Sequence, residues 1–193
     1  MPVDAGNWGA VTALRARAAD LQDTFSRGML CVLQGDVGRG KSAIAWLFAR
    51  AVVNAPDVDA GPNPAETWYD TVGYRHSPIN SVLFVKWPEL VEAKFDAGRP
   101  PYKPDPLKAA RRADLLVIDD VGRRGTFGDR EDSWLWQLVE DRYATRRPLV
   151  LTTELFVGPG SRCLLSAAIV SRLTQSDRSL SLGLEGPDRR QRR

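Results

Sequence analysis

The eight residues Gly35 to Ser42, GDVGRGKS, match G-x-x-x-x-G-K-[ST] in full. They lie between a continuous apolar run, MLCVLQ (29–34), and an apolar stripe at helical spacing, Ile44, Leu47, Phe48, Ala51 and Val52. A buried strand must deliver the chain into a tight loop, the loop must turn directly into a helix, and the helix must return the chain for another strand to pair in parallel. Gly35, Gly38 and Gly40 permit backbone angles that let consecutive N–H groups wrap an anion, and the helix beginning near Lys41 points its positive end at the same place. The residues Gly35, Asp36, Val37, Gly38, Arg39, Gly40, Lys41 and Ser42 are therefore the candidate cradle for a nucleotide's phosphates. Lys41 has the length to reach the β- and γ-phosphates, and Ser42 the hydroxyl to offer to Mg2+.

The rest of the chain alternates. Val11, Leu14, Ala18, Leu21 and Phe25 predict one amphipathic helix before the first strand. Residues 54–80 carry four Pro and two Gly without sustained periodicity and predict a long irregular insertion. SVLFVK (81–86) reads as a strand. Pro88, Leu90, Val91 and Phe95 with Gly98 behind them read as a helix, and RPPYKPDP as a stiff connector. ADLLVIDD (113–120) has the unbroken apolar character of a strand covered on both faces, and GRRGTFGDRED after it is a polar turn. Trp134, Leu135, Leu138, Val139 and Tyr143 predict a helix, PLVLTT (148–153) a buried strand, Leu164, Leu165, Ala168, Ile169 and Leu173 a last helix, and SLSLG a last strand. The fold class is α/β with a mainly parallel sheet, as a single domain over 1–186 with a basic tail over 187–193.

A chain of 193 residues, 43% hydrophobic, is long enough for one core. It has no run of 18 uncharged apolar residues and its first residues lack the pattern of a secretory signal, so a cytoplasmic protein without a membrane segment is expected. Cys31 and Cys163 sit in separate apolar runs, as reduced core thiols do. The last seven residues, PDRRQRR, hold four Arg against one Asp, a net +3 equal to the formal charge of the whole chain, so any other basic surface must come from uneven distribution. That tail is a candidate for DNA phosphates or a solvated end. Trp68, Tyr69 and Tyr74 in the insertion are candidates for stacking on single-stranded bases or for covering core. His76 is the only histidine and has no companions at ligand spacing, so no metal other than Mg2+ is expected.

LLVIDD ends its strand with two acids, the position from which a nucleotide-bound metal is held beside a phosphate loop. Asp119 is the candidate metal-side acid and Asp120 the candidate for polarising the attacking water. Taken with the loop, the stretches SVLFVKWPELVEAKFDAG, LLVIDDVG, EDRYATRRPLVLTTEL and AIVSRL come in an order and spacing that resembles the AAA+ ATPases related to the bacterial helicase loader DnaC and the transposition helper IstB. The likeness spans most of the chain. It implies a sheet of five parallel strands, ATP with Mg2+ bound between neighbouring subunits of an oligomer, and hydrolysis coupled to loading or remodelling a protein, a replicative helicase or a transposase, on DNA.

By the same resemblance Arg172, in SRL, is the arginine finger offered to a neighbouring subunit's ATP, with Lys41, Asp120 and Thr153 as the other catalytic groups. Arg142 matches the Arg that precedes Tyr in the family's helix, although an ion pair with a nearby acid such as Glu131 or Asp141 accounts for it as well. Relatives carry Asn where this chain has Glu154, a position that should face the phosphates. A carboxylate there repels them, which leaves either a different register, with Thr153 supplying a hydroxyl, or slow hydrolysis. About 20 residues follow SRL, too few for a helical lid, and some 28 precede the first strand, too few for the module with which many loaders grip the helicase. Asn7 and Trp8 are expected either beside the adenine or, for Trp8, as the anchor of the first helix.

Overall fold

Asp20 breaks the expected first helix in two. The computed structural model describes residues 4–55, 59–60, 71–76, 81–97, 105–122, 128–157, 165–174 and 177–188, with 59–60 and 71–76 described as backbone. Helix α1 (Trp8–Ala19) ends at Asp20, whose carboxylate accepts the Asp23 N–H at 2.9 Å and so caps the start of α2 (Leu21–Arg27). Ala10 and Leu14 are buried, but Trp8 is 60% exposed and does not anchor the helix.

Strand β1 (Leu30–Gln34) is buried at every residue and leads through the glycine loop into α3 (Lys41–Val53). Ile44, Ala45, Phe48, Ala49 and Val52 of α3 are buried, whereas the expected core residues Leu47 and Ala51 are exposed. Those two line a shallow groove with Val11 and Ala18 of α1, because α1 covers only part of that flank. The insertion is not irregular throughout. It holds β2 (Asp59–Ala60) and β3 (Thr71–His76), which pair antiparallel with each other, and β3 pairs antiparallel with β4 (Ser81–Lys86). Backbone pairing onto an open sheet edge overrides the Pro and Gly content that argued against strands. Trp68, Tyr69 and Cys163 lie outside the described residues.

Helix α4 (Trp87–Asp96) has Pro88 in its first turn, as expected. The expected connector ends in a further helix, α5 (Pro106–Arg112), started by an Asp105 carboxylate that accepts the Leu107 N–H at 3.0 Å. Strand β5 (Leu115–Val121) follows. Helix α6 (Asp129–Ala144) begins within the expected polar turn, where the Glu131 carboxylate accepts the Gly128 N–H at 3.0 Å. Strand β6 (Leu149–Thr153), α7 (Ala167–Thr174) and β7 (Ser179–Gly183) complete the described elements.

The sheet order is β2-β3-β4-β5-β6-β1-β7, and β4, β5, β6, β1 and β7 are mutually parallel. Alternation along the strands fills both faces. Cys31, Leu33, Val117 and Val150 join α1 and α3 on one side, and Leu30, Val32, Ile118 and Leu151 join α4 to α7 on the other. Cys31 is a free thiol whose pKa burial pushes up to about 12. Among the described residues no helix is long and apolar enough to cross a membrane.

Arg142 is wholly buried. Its guanidinium pairs with neither Asp141 nor Glu131; it donates to the backbone carbonyls of Arg111 and Asp114, at 3.4 and 2.7 Å, and to those of Ala113 and Pro148. Burial, with help from the nearby Arg147 charge, lowers its pKa to about 9, so it stays charged at neutral pH. It ties the turn before β5 to the turn before β6 at the sheet edge opposite the glycine loop. Arg142→Met keeps the aliphatic length but removes the buried donor from the Ala113 and Asp114 carbonyls and unties them from Pro148, whose carbonyl keeps the Leu116 N–H; it should cost about 3 kcal/mol in urea unfolding, whereas exposed Arg112→Ala should change stability by less than about 0.5 kcal/mol. Equal effects would contradict the staple.

Candidate functional site

The carboxyl ends of β1, β5 and β6 meet at one edge of the sheet, because Gln34 is in register with Thr153 and Val121 with Thr153. The glycine loop leaves β1 there. Gly35, Gly38 and Gly40 all have positive φ (143°, 77° and 91°), as the motif predicts. No side chain caps α3 at Gly40, so its first-turn N–H groups are left for a ligand in the loop. A Cβ at Gly38 would lie 1.8 Å from the carboxylate of Asp188, a residue of the expected tail that instead rests against the loop, so any side chain there would push Asp188 aside. Asp36 and Arg39 form a side-chain pair at 3.3 Å, Val37 is 45% exposed and Ser42 is exposed, so from Asp36, Val37 and Arg39 the loop can offer backbone N–H groups.

Lys41 is buried, and its Nζ donates to the carbonyls of Gly35 and Asp36 at 2.6 and 2.8 Å. The ammonium thus lies inside the ring of the loop. Burial lowers its pKa, and the negative charges of Glu154, Asp120, Asp119 and Asp36, in that order of strength, oppose the shift. A cation sitting on neutral carbonyls under uncapped helix N–H groups is the arrangement that a polyphosphate completes.

A β-bulge brings the two acids of β5 to this edge. Ile118 pairs with Leu151 and Val121 with Thr153, leaving one extra residue on β5 between them, and Asp120 takes up the irregularity with φ 63°. Asp119 is buried and its Oδ1 accepts the Thr152 hydroxyl at 2.5 Å, while the Asp120 N–H donates to the same hydroxyl oxygen at 3.0 Å. Thr153 is not available to the loop, contrary to expectation: its hydroxyl donates to the Val121 carbonyl at 2.8 Å and accepts the Leu155 N–H at 3.0 Å. Among the described residues no group of three or more His, Cys, Asp or Glu side chains can hold a metal. A divalent cation here would take Asp119, the Ser42 hydroxyl and oxygens of its ligand, which is how Mg2+ is bound beside phosphates.

Arg172 lies apart from these groups. On α7 it donates to Glu140 of α6, with Nε 2.9 Å from Oε2, and its guanidinium carbon is 4.5 Å from the centre of the Tyr143 ring. The Glu140 bond raises its pKa, and its side chain is 37% exposed. Asn7 is buried in the Asp4–Asn7 turn, which docks on the segment after β7 through the Glu185 N–H donated to the Gly6 carbonyl at 3.0 Å.

Solved structures share this fold. Domain III of the Thermotoga maritima replication initiation protein DnaA superposes with a TM-score of 0.67 at 19% identity, over 97% of this chain and 66% of that one. The fold is that of the AAA+ phosphate-loop ATPases. A DnaC helicase loader gives a TM-score of 0.66 at 17% identity, over 96% of this chain and 93% of the loader. The replication initiator DnaA bound to AMPPCP and single-stranded DNA gives 0.66 at 14% identity, over 97% of this chain and 49% of that one. The chain therefore spans half to two thirds of the DnaA structures it matches. No protein-family model and no curated protein matches the sequence.

Three functional-edge residues were not expected from sequence: Thr152, which holds Asp119, Asp188 against Gly38, and Gln34. The Gln34 amide nitrogen donates to the Ser181 hydroxyl at 3.3 Å and its oxygen accepts the Val157 N–H at 2.6 Å. For Thr152 the available signal was a second hydroxyl beside Thr153 in TTEL. Thr152→Val removes the donor that orients Asp119 and should weaken Mg2+-dependent nucleotide binding about tenfold. Thr153→Val should lower stability and leave that affinity within about twofold. Titration of a fluorescent nucleotide with and without Mg2+ checks both.

Proposed function

We propose that the chain binds ATP with Mg2+ in the loop Gly35–Ser42 and hydrolyses it. The observation that carries this reading is the buried Lys41 ammonium lying within the loop beneath an uncapped helix start, beside the strand end that bears Asp119 and Asp120. In this reading the N–H groups of the loop and Lys41 hold the phosphates, Ser42 and Asp119 hold Mg2+, and Asp120 orients the attacking water. Bound Mg2+ supplies neutralisation of charge on the β- and γ-phosphates. The half-exposed Arg172 is the group offered to a neighbouring subunit, so the complete site needs an oligomer.

Turnover would be coupled to loading or remodelling a protein partner, a replicative helicase or a transposase, on DNA. Fold likeness to a helicase loader and to an initiator bound to single-stranded DNA supports the replication assignment. A second reading, a nucleotide-dependent switch with little turnover, is favoured by the charge of Glu154 acting on Lys41.

Phosphate release from mixed variants tests the proposal. Lys41→Ala protein should lose nucleotide affinity yet still present Arg172, and Arg172→Ala protein should bind ATP yet hydrolyse it about 10³-fold more slowly. Combining the two inactive proteins should restore part of the activity, more so at higher concentration. Normal hydrolysis by Arg172→Ala alone would exclude the shared site, and absence of turnover in the wild type at every concentration would favour the switch.

A further inference from the structure

Strand β6 runs between β1 and β5, and its last paired residue, Thr153, stands opposite Gln34 on one side and Val121 on the other. Glu154 therefore leaves the sheet between Gly35, where the loop begins, and the acid-bearing end of β5. The path of the chain there is fixed on both sides of Glu154, by the Leu155 N–H donated to the Thr153 hydroxyl and the Val157 N–H donated to Gln34. Glu154 is half-buried, and among the described residues no salt bridge or hydrogen bond engages its carboxylate. Its charge is consequently unspent, and of the four acids that act on Lys41 it acts most strongly.

Four carboxylates already share the field of one ammonium before any ligand arrives. A diphosphate adds its charge deep in the loop. A triphosphate would add a further phosphoryl group within reach of Lys41, since the lysine of such a loop reaches the β- and γ-phosphates. We propose that Glu154 sets the nucleotide preference of this loop, disfavouring the triphosphate relative to the diphosphate by like-charge repulsion of the terminal phosphoryl group. The inference rests on the reading of Gly35–Ser42 as a nucleotide site. At an effective dielectric of about 20, one carboxylate within about 12 Å of the terminal phosphoryl group repels it by enough to change affinity about tenfold. The nucleotide-bound state would then relax toward the diphosphate form unless something counters Glu154, such as a cation brought by a neighbouring subunit or a partner.

The experiment uses the full chain with Mg2+ and measures dissociation constants for ADP and for AMPPCP, which is not hydrolysed. Glu154→Gln keeps the shape and removes the charge; it should tighten AMPPCP binding about tenfold while changing ADP binding less than about threefold. Glu154→Asp, which keeps the charge, should retain the wild-type preference. Equal changes for the two nucleotides in Glu154→Gln, or no change in either, would overturn the inference while leaving the loop as a nucleotide site, provided Lys41→Ala abolishes binding of both. Failure of the folded wild type to bind either nucleotide would overturn the site itself, and the inference with it.

Discussion

Everything at the functional edge depends on β1 being immobile. Its five residues are buried, it is hydrogen-bonded to parallel neighbours along both edges, and apolar layers cover both its faces. Shifting it by one residue would exchange Leu30 and Val32 with Cys31 and Leu33 between two different cores, which fixes the register. The point at which the chain leaves the sheet is thereby set, and a loop only a few residues long must reach α3 from it. Buried apolar surface, worth about 25 cal/mol per Å², is thus converted into the position of a ring of backbone N–H groups that have no partners of their own.

The two ends of the sheet are secured differently. At the end away from the loop, one buried guanidinium, Arg142, donates to carbonyls of the two turns that precede β5 and β6 and so joins them. At the loop end the ties are side-chain hydroxyls and an amide: Thr152 on Asp119, Thr153 on Val121 and Gln34 on Ser181 and Val157. These bonds hold carboxylates close to a lysine without neutralising them. The result is a site with its charges preset, in which ligand phosphates, not protein groups, complete the electrostatics.

Much of this was legible in the sequence because it is local. The strand, loop and helix around GDVGRGKS, the strand LLVIDD and a mainly parallel sheet follow from apolar runs, glycine spacing and the alternation of strands with helices. What escaped depends on geometry between distant segments. Asp20 interrupts an otherwise continuous helical pattern because its side chain caps the next helix. Thr153 bonds Val121 instead of facing the loop because the bulge in β5 puts Val121, not Asp120, opposite it, while Thr152 supports Asp119. Arg142 has the sequence context of a surface helix, and only the turns folded over it make it a staple. Asp188, placed by composition in a basic tail, meets Gly38 across the whole length of the chain.

The central claim is that the loop Gly35–Ser42, preset by β1 and α3, receives nucleotide phosphates. Amide chemical shifts followed during titration with Mg2+ and ADP report on it directly. The account predicts large, saturable shifts of the Gly38, Arg39, Gly40, Lys41 and Ser42 N–H signals, together with perturbation of the Lys41 side chain as it exchanges the Gly35 and Asp36 carbonyls for phosphate oxygens. Saturable binding that leaves those amides unmoved and shifts residues elsewhere would contradict it.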